Sequence, residues 1–165
     1  MKKQAYLLAL IPLFFAGCSS APISDASKPS GPSSELTNDE KDLDLASLRD
    51  PNSILSKRSI YFDFDKDIVK AEYKELVAAH AKYITSHPKA KVTLTGNTDD
   101  RGSREYNVSL GQKRSVAVKK AMNLLGAQDN QIETVSFGEE KADTNCKDDA
   151  CFSKDRRVDI SYDKE

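Results

Sequence analysis

The chain has 165 residues, of which 38% are hydrophobic and 31% are charged, and its formal net charge is −1 at neutral pH. A nearly neutral chain offers nucleic acid no general electrostatic attraction, so a nucleic-acid partner is not expected. Any anionic ligand must be met by a local basic side chain rather than by the overall field.

The N-terminus has the pattern of an export signal. Lys2 and Lys3 precede the apolar run AYLLALIPLFFAG at positions 5–17. This run has the length of a signal-peptide core, and it is too short, and interrupted by Pro12, for a spanning helix of roughly 20 apolar residues. We therefore expect a signal peptide over 1–17, whose removal leaves 23 basic and 26 acidic side chains.

The cysteine that follows this run is a candidate for lipidation. Ala16 and Gly17 directly precede Cys18, an order that resembles the bacterial lipobox, in which cleavage exposes a cysteine that receives acyl chains. The alternative is an ordinary secretory signal beside a chance cysteine. Several acyl chains anchor a protein firmly without spanning the membrane. Because Ser19 rather than aspartate follows, the pattern indicates the outer membrane, with the rest of the chain in the periplasm.

A linker separates this anchor from the folded part. Serine, proline and charged residues dominate positions 19–40, which read SSAPISDASKPSGPSSELTNDE, a composition that cannot form a core. We assign 18–52 to the lipidated cysteine and a flexible periplasmic linker, and 53–165 to one folded domain. The stretch 42–58 is intermediate in composition and is compatible with a short turn or helix lying on that domain.

The domain has a regular succession of strands and helices. The alternating segment SIYFDF (59–64), with Ile60, Phe62 and Phe64 facing inward, predicts a strand, and the spacing of apolar residues after it predicts a helix ended by Pro88. A second strand is predicted over 91–96 and a second helix from about Ser103, as N-cap, to Gly126. Further strands follow at 131–138 and 156–162. The order β-α-β-α-β-loop-β predicts an α+β fold, a two-layer α/β sandwich with the helices on one face of a mixed four-stranded sheet.

The segment GNTDDRGSREYN (96–107) joins the second strand to the second helix. Asp99 and Asp100 lie there at the carboxyl end of a strand, a common position for ligands. Turn chemistry alone also explains aspartate and glycine at such a place. Arg114 falls within the apolar stripe of the second helix, where it must either extend its charge to water or meet an anion. The sequence leaves both alternatives open.

Two cysteines remain besides Cys18. Cys146 and Cys151 lie five positions apart, and an exported chain most simply bridges such a pair. A metal would need further ligands, and the chain's histidines, His80 and His87, lie far away on the first predicted helix. We therefore predict a disulfide, no metal and no cofactor.

Four separated blocks resemble one known family. They are IYFDFDKDIV (60–69), LTGNTDDRGSREYNVSLGQKRSVAVKKAM (94–122), VSFGEEK (135–141) and DRRVDI (155–160). Together they resemble the peptidoglycan-associated lipoproteins (Pal) of the OmpA-like family of peptidoglycan-binding domains. The resemblance covers 50–162 and implies that the loop and helix bind the diaminopimelate residue of the wall peptide.

The resemblance also implies individual roles. Asp99 matches the aspartate of the family's "TD" element and Arg114 matches the arginine that follows on the helix; together they would bind the ammonium and the carboxylate of diaminopimelate. The other positions that the family pattern places around the pocket are Phe64, Asp65, Asn97, Thr98 and Leu110. Asp155 departs from the family, which usually has asparagine there, and the cysteine-containing insert is not expected in it.

The family context implies a non-enzymatic outer-membrane lipoprotein that holds the cell wall. Its expected partners are peptidoglycan, the periplasmic protein TolB and other Tol-system proteins, with a role in envelope integrity and constriction during cell division. Two alternatives remain: a peptidoglycan hydrolase using Asp99 with Asp63, Asp65 or Asp100 as an acid/base pair, and an OmpA-like wall-anchoring protein outside the Tol–Pal system, of which a stator or porin type would need a membrane-spanning part.

Overall fold

The computed structural model describes residues 46–163. The signal peptide expected over 1–17, Cys18 and the linker up to residue 45 lie outside the described residues. Within 46–163, no helix combines the length and the apolar composition that crossing a membrane requires.

Within the part of the chain that the structure describes, four strands form one mixed sheet. They are β1 (Ser59–Tyr61), β2 (Val92–Asn97), β3 (Ile132–Gly138) and β4 (Arg157–Tyr162), in the spatial order β1-β4-β2-β3. β4 runs antiparallel to both β1 and β2, whereas β2 and β3 are parallel. The pairing of β2 with β3 requires a crossover, and the helix between them supplies it.

Within residues 46–163, three helices longer than a single turn accompany the sheet. They are α1 (Lys74–Ser86), α2 (Arg104–Leu124) and α3 (Asp149–Asp155). The Ser103 side chain accepts a hydrogen bond from the N–H of Tyr106 and so caps α2 at the predicted residue. α2 packs on β2 and β3, and α1 packs beside α2. The structure confirms the α+β class and the mixed four-stranded sheet.

The core lies between the helices and one face of the sheet. Strand residues such as Ile60, Leu94 and Val158 meet helix residues such as Val77 and Val118, and all are almost fully buried. Burial alternates along β4, as expected where one face of a sheet is covered.

The folded part extends into the range assigned to the linker. Residues 46–49 form a helical turn, and Leu48 is buried in the same core. Nη2 of Arg58 donates a hydrogen bond to the Leu48 carbonyl at 3.1 Å. Burial of Leu48 holds this turn against the domain, so the structured part begins before residue 53.

The first strand is shorter than predicted. β1 ends at Tyr61, and although Phe62 is buried, Phe64 is 54% exposed. The chain turns away here, and Asp65 adopts a left-handed backbone conformation with φ of 55°. The carbonyls of Asp63 and Lys66 accept hydrogen bonds from Arg114 instead of from a neighbouring strand. The prediction that Phe64 faces the core is therefore wrong.

Candidate functional site

Asp99 lies in the loop that leaves β2 and is only 3% exposed. Its Oδ2 accepts hydrogen bonds from Nη2 of Arg101 at 2.7 Å and from Nη1 of Arg156 at 3.2 Å. Burial by itself would raise the pKa of Asp99, but the hydrogen bonds from Arg101 and Arg156 outweigh it, and the pKa lies below its ordinary value. Asp99 is therefore a carboxylate at neutral pH.

Arg114 projects from α2 and is completely buried. Its guanidinium donates three hydrogen bonds to backbone carbonyls: Nε to Lys66 at 2.9 Å, Nη1 to Asn97 at 3.0 Å and Nη2 to Asp63 at 3.1 Å. Burial lowers the pKa of Arg114 to about 10, so the group keeps its charge at neutral pH.

This buried cation has no carboxylate bound to it. Among residues 46–163, no ion pair of Arg114 is found. A guanidinium has N–H donors on all three nitrogens, and after the three carbonyl bonds one donor remains on each terminal nitrogen. A buried charge without an ionic partner is costly. The group is thus prepared to receive an anion.

The two charged groups share one cavity. The cavity has a volume of about 30 Å³ and is lined by Phe64, Asp65, Thr98, Asp99, Arg101, Tyr106, Asn107, Leu110, Arg114 and Arg156. The nearby carboxylate of Asp99 also raises the pKa of Arg114 against the effect of burial. Thr98 contributes a further polar group, because its buried hydroxyl has no hydrogen-bond partner. An anion, a cation and an unpartnered hydroxyl therefore surround one small space.

Two glycines bring the helix close enough to form this space. Gly96 of β2 and Gly111 of α2 meet backbone to backbone: a Cβ added to Gly96 would lie 1.9 Å from the carbonyl oxygen of Gly111. Only glycine permits such an approach. Since Arg114 lies one helical turn after Gly111, the contact positions its guanidinium beside the carbonyl of Asn97.

The outer edge of the cavity is formed by the segment after β1. The hydroxyl of Tyr106, on α2, donates a hydrogen bond to Oδ1 of Asp65. The ring of Phe64 stacks on the guanidinium of Arg101, with the ring centroid 4.1 Å from Cζ. These contacts join the segment to both the loop and the helix.

The predicted binding residues come together with one difference. Six of the seven line the cavity: Phe64, Asp65, Thr98, Asp99, Leu110 and Arg114. The side chain of Asn97 does not line it, because Nδ2 donates to the Thr95 carbonyl at 3.2 Å and to Oδ2 of Asp159 at 3.1 Å. Asn97 acts at the site through its carbonyl oxygen, which accepts from Arg114.

Sequence reasoning missed four lining residues: Arg101, Tyr106, Asn107 and Arg156. Arg156 forms ion pairs with Asp99 and Asp149 and also lines the cavity. Tyr106 falls on the apolar stripe of α2, which favoured a core position, yet it is 48% exposed. Arg101 carried no signal beyond its place in the loop.

Cys146 and Cys151 are joined by a disulfide, with their Cα atoms 5.3 Å apart. The disulfide closes the segment that leads into α3, whose N-cap is Asp148. Among the described residues, Asp143 and the two cysteines form a group with metal-ligand atoms close together. Sulfurs bonded to each other do not supply the thiolates that bind metals, so this group is a structural crosslink.

The comparisons with known proteins agree with this architecture. The model of the OmpA family matches residues 61–156. The chain is 44% identical over 104 residues to the peptidoglycan-associated lipoprotein of Pasteurella multocida, an alignment that covers 63% of this chain and 69% of the relative. The protein of the same name from Haemophilus influenzae is also 44% identical, over 63% of this chain and 68% of the relative.

A solved structure gives the same result in three dimensions. The crystal structure of the peptidoglycan-associated lipoprotein from Burkholderia pseudomallei superimposes with a TM-score of 0.68 at 49% sequence identity, covering 70% of this chain and 98% of that one. The chain belongs to the OmpA family and, within it, to the peptidoglycan-associated lipoproteins.

Proposed function

We propose that this chain binds the diaminopimelate residue of peptidoglycan non-covalently and thereby tethers the outer membrane to the cell wall. The observation that carries the proposal is the buried guanidinium of Arg114, which lacks a carboxylate partner and lines the same cavity as Asp99. The names of the relatives, peptidoglycan-associated lipoproteins, support the same ligand.

The chemistry of the ligand matches that of the cavity. Diaminopimelate ends in a carbon that bears both an ammonium and a carboxylate. The two remaining donors of Arg114 suit the carboxylate, and Oδ1 of Asp99, which accepts only a 3.3 Å bond from the Arg101 N–H, can accept from the ammonium. The hydroxyl of Thr98 offers one more bond. A wall peptide with lysine at this position lacks the terminal carboxylate and would leave Arg114 unpaired, at a cost of roughly 1–3 kcal/mol or more.

The cellular role follows from the expected N-terminal anchor. Lipid at Cys18 holds the chain in the outer membrane, the linker spans the gap, and the folded domain binds the wall in the periplasm. By relationship to the Pal lipoproteins we further propose TolB and other Tol-system proteins as partners, with a role in envelope integrity and cell division. Capture of TolB by the purified lipoprotein tests this part; failure to capture it would favour a wall-anchoring role outside the Tol–Pal system.

The lowered pKa values of Asp99 and Asp63 favour binding over hydrolysis. A general acid needs a raised pKa, but two arginines hold the pKa of Asp99 below its ordinary value despite burial. Hydrogen bonding to Lys66 likewise lowers the pKa of Asp63. We expect no clearing of peptidoglycan in a zymogram of the purified protein; a cleared band would favour the hydrolase.

Sedimentation with purified sacculi tests the binding site. Asp99→Asn keeps the size of the side chain but removes its charge, and we expect it to lose most co-sedimentation. Asp100→Asn makes the same change at the exposed neighbouring residue, which does not line the cavity, and should sediment as the wild type does. Equal sedimentation of the two variants would place the binding site elsewhere.

A second variant tests the cationic side of the cavity. Arg114→Lys keeps the charge but cannot present a planar fork, so we expect weak or no sedimentation while circular dichroism still shows a folded domain. Arg114→Ala is less informative, because three backbone carbonyls would lose their donor.

Mass spectrometry of the mature N-terminus tests the anchor: an acylated Cys18 supports it, and an unmodified N-terminus contradicts it.

A further inference from the structure

Arg101 already donates a hydrogen bond to one carboxylate oxygen of Asp99. Its Nη2 lies 2.7 Å from Oδ2 of Asp99, and its side chain is 37% exposed whereas that of Asp99 is 4% exposed. The guanidinium therefore lies between Asp99 and solvent. It is a cation bound to Oδ2 of the same carboxylate whose Oδ1 would accept from an incoming ammonium, so the two cations compete for one negative charge.

Two aromatic rings hold this guanidinium from opposite segments. Its Cζ lies 4.1 Å from the ring centroid of Phe64 and 4.3 Å from that of Phe152. A carboxylate of Asp149 lies 3.5 Å from Nη2. Cation–π contacts of a partly exposed guanidinium contribute modestly but measurably to its position.

The enclosed part of the cavity is small while Arg101 remains in this position. Its volume of about 30 Å³ accommodates two or three water molecules, since a single water needs about 10–15 Å³ of such space. A carbon bearing an ammonium and a carboxylate is larger than that. Arg101 and Phe64 line the cavity, are partly exposed and stack on each other. Their displacement would therefore open the cavity.

Asp149 lies in the cysteine-containing insert (142–151), which is not expected in the family, and Phe152 directly follows it. Both lie on α3, directly after or within the loop closed by the disulfide of Cys146 and Cys151. Arg156 donates hydrogen bonds of 2.9 and 3.3 Å to the carboxylate of Asp149, the first residue of α3. The position of the Phe152 ring over Arg101 is thus set by a covalent crosslink and by an ion pair.

We propose that the disulfide-closed insert holds Arg101 over Asp99 and so makes Phe152 a positioning residue that opposes ligand entry. The ligand's ammonium must compete with Arg101 for the charge of the Asp99 carboxylate, and the stack on Phe152 strengthens the competitor. This inference rests on the proposed function, because it concerns the same cavity and the same ligand.

Calorimetry with free diaminopimelate tests the proposal on the purified lipoprotein in detergent. Phe152→Ala should bind diaminopimelate about two- to fivefold more tightly than the wild type, the factor expected from the loss of one cation–π contact. Phe152→Tyr retains the ring and should bind as the wild type does. Unchanged or weaker binding by Phe152→Ala would overturn the proposal, since it would mean that the stack is neutral or helps the ligand.

The disulfide provides an independent variant. The double substitution Cys146→Ser and Cys151→Ser frees the insert without removing any contact of the Arg101 guanidinium. We expect it to tighten binding in the same direction as Phe152→Ala, and by no more. Weaker binding by the double variant, with the domain still folded by circular dichroism, would contradict the proposed opposition to ligand entry.

A measurement without ligand separates this proposal from the proposed function. If the wild type does not bind diaminopimelate, the proposed function fails, but the position of Arg101 is still measurable by NMR titration of the Asp99 carboxyl carbon. Phe152→Ala should raise the pKa of Asp99 toward its ordinary value, because Arg101 then leaves Oδ2 more often. An unchanged titration in Phe152→Ala would overturn the inference whatever the ligand.

Discussion

Arg156 and Asp99 form an ion pair that is almost entirely shielded from solvent. Nη1 of Arg156 lies 3.2 Å from Oδ2 of Asp99, and the two side chains are 5% and 4% exposed. Nε of Arg156 also donates to the carbonyl of Phe62 at 3.2 Å. The pair joins the start of β4, the end of β1 and the loop after β2, so it supports the cavity that Asp99 and Arg114 line.

Removing the cation of this pair should destabilise the domain. In Arg156→Gln, Asp99 keeps Arg101 but loses its buried partner, and we expect the free energy of unfolding to fall by about 3 kcal/mol. Urea unfolding measures the change. Arg104→Gln is the matched control, because the ion pair of Arg104 with Glu140 is largely exposed and should contribute less than about 1 kcal/mol. Similar losses in the two variants would contradict the importance of burial.

Asp99 should make stability depend on pH in the acid range. Although burial opposes it, hydrogen bonding lowers the pKa of Asp99 in the folded state, so the contribution is present above the unfolded-state pKa of about 4 and is lost as pH falls through the lower folded pKa. We expect the stability difference between wild type and Asp99→Asn to shrink between about pH 4 and pH 2. A difference that stays constant over this range would rule out this titration.

Asp155 should have the opposite dependence. It is buried at the end of α3, where the helix dipole disfavours an anion, and burial raises its pKa. A raised carboxyl pKa stabilises the fold fully only below the unfolded-state pKa, and this contribution is lost as pH rises through the folded value. No ion pair of Asp155 is found within residues 46–163 to offset the cost.

Asp155→Asn should therefore be more stable than the wild type at pH 7, and the advantage should decrease toward about pH 3. Asparagine retains an oxygen that can accept from the N–H of Asp143, as Oδ2 of Asp155 does at 3.2 Å. Asp148→Asn is the matched control: it makes the same change at the exposed N-cap of the same helix, where asparagine serves equally well. A destabilised Asp155→Asn at pH 7 would show that the charge itself is needed.

Periodicity and capping signals were sufficient for most of the fold. The N-cap at Ser103 and the succession of strands follow from local patterns that tertiary contacts reinforce. The seven residues of α3 were not predicted, because a helix of two turns is too short for an apolar period to emerge. Its N-cap, Asp148, was visible only as one of several acidic residues in a polar loop.

The residues proposed to bind the ligand came from the family resemblance and not from local sequence patterns. The sequence left open whether Arg114 reaches water or an anion, and the choice was decided by carbonyls at Asp63, Lys66 and Asn97. Every residue has a backbone carbonyl, so no sequence pattern indicates which carbonyls will accept hydrogen bonds from a buried arginine. The place of Arg101 at the cavity was likewise not predictable from the sequence, because its contact with Phe152 arises only in the tertiary structure.

The contact between Gly96 and Gly111 should be intolerant of a single added carbon. In Gly96→Ala the new Cβ would meet the carbonyl oxygen of Gly111 at 1.9 Å and its carbonyl carbon at 2.5 Å, so α2 must move away from β2. Overpacking of this kind typically costs about 1–3 kcal/mol, and here backbone rather than a flexible side chain must yield. We expect a loss of at least about 2 kcal/mol in urea unfolding.

The same displacement should weaken ligand binding even where the domain remains folded. Arg114 follows Gly111 by one helical turn, and its Nη1 bond of 3.0 Å to the Asn97 carbonyl spans the interface that Gly96→Ala would open. We expect reduced co-sedimentation with sacculi at temperatures where circular dichroism shows a folded protein. Ser109→Thr, which adds one carbon at an exposed position of α2, should change neither measurement. Full binding by a folded Gly96→Ala variant would mean that the close approach of helix and strand does not position Arg114.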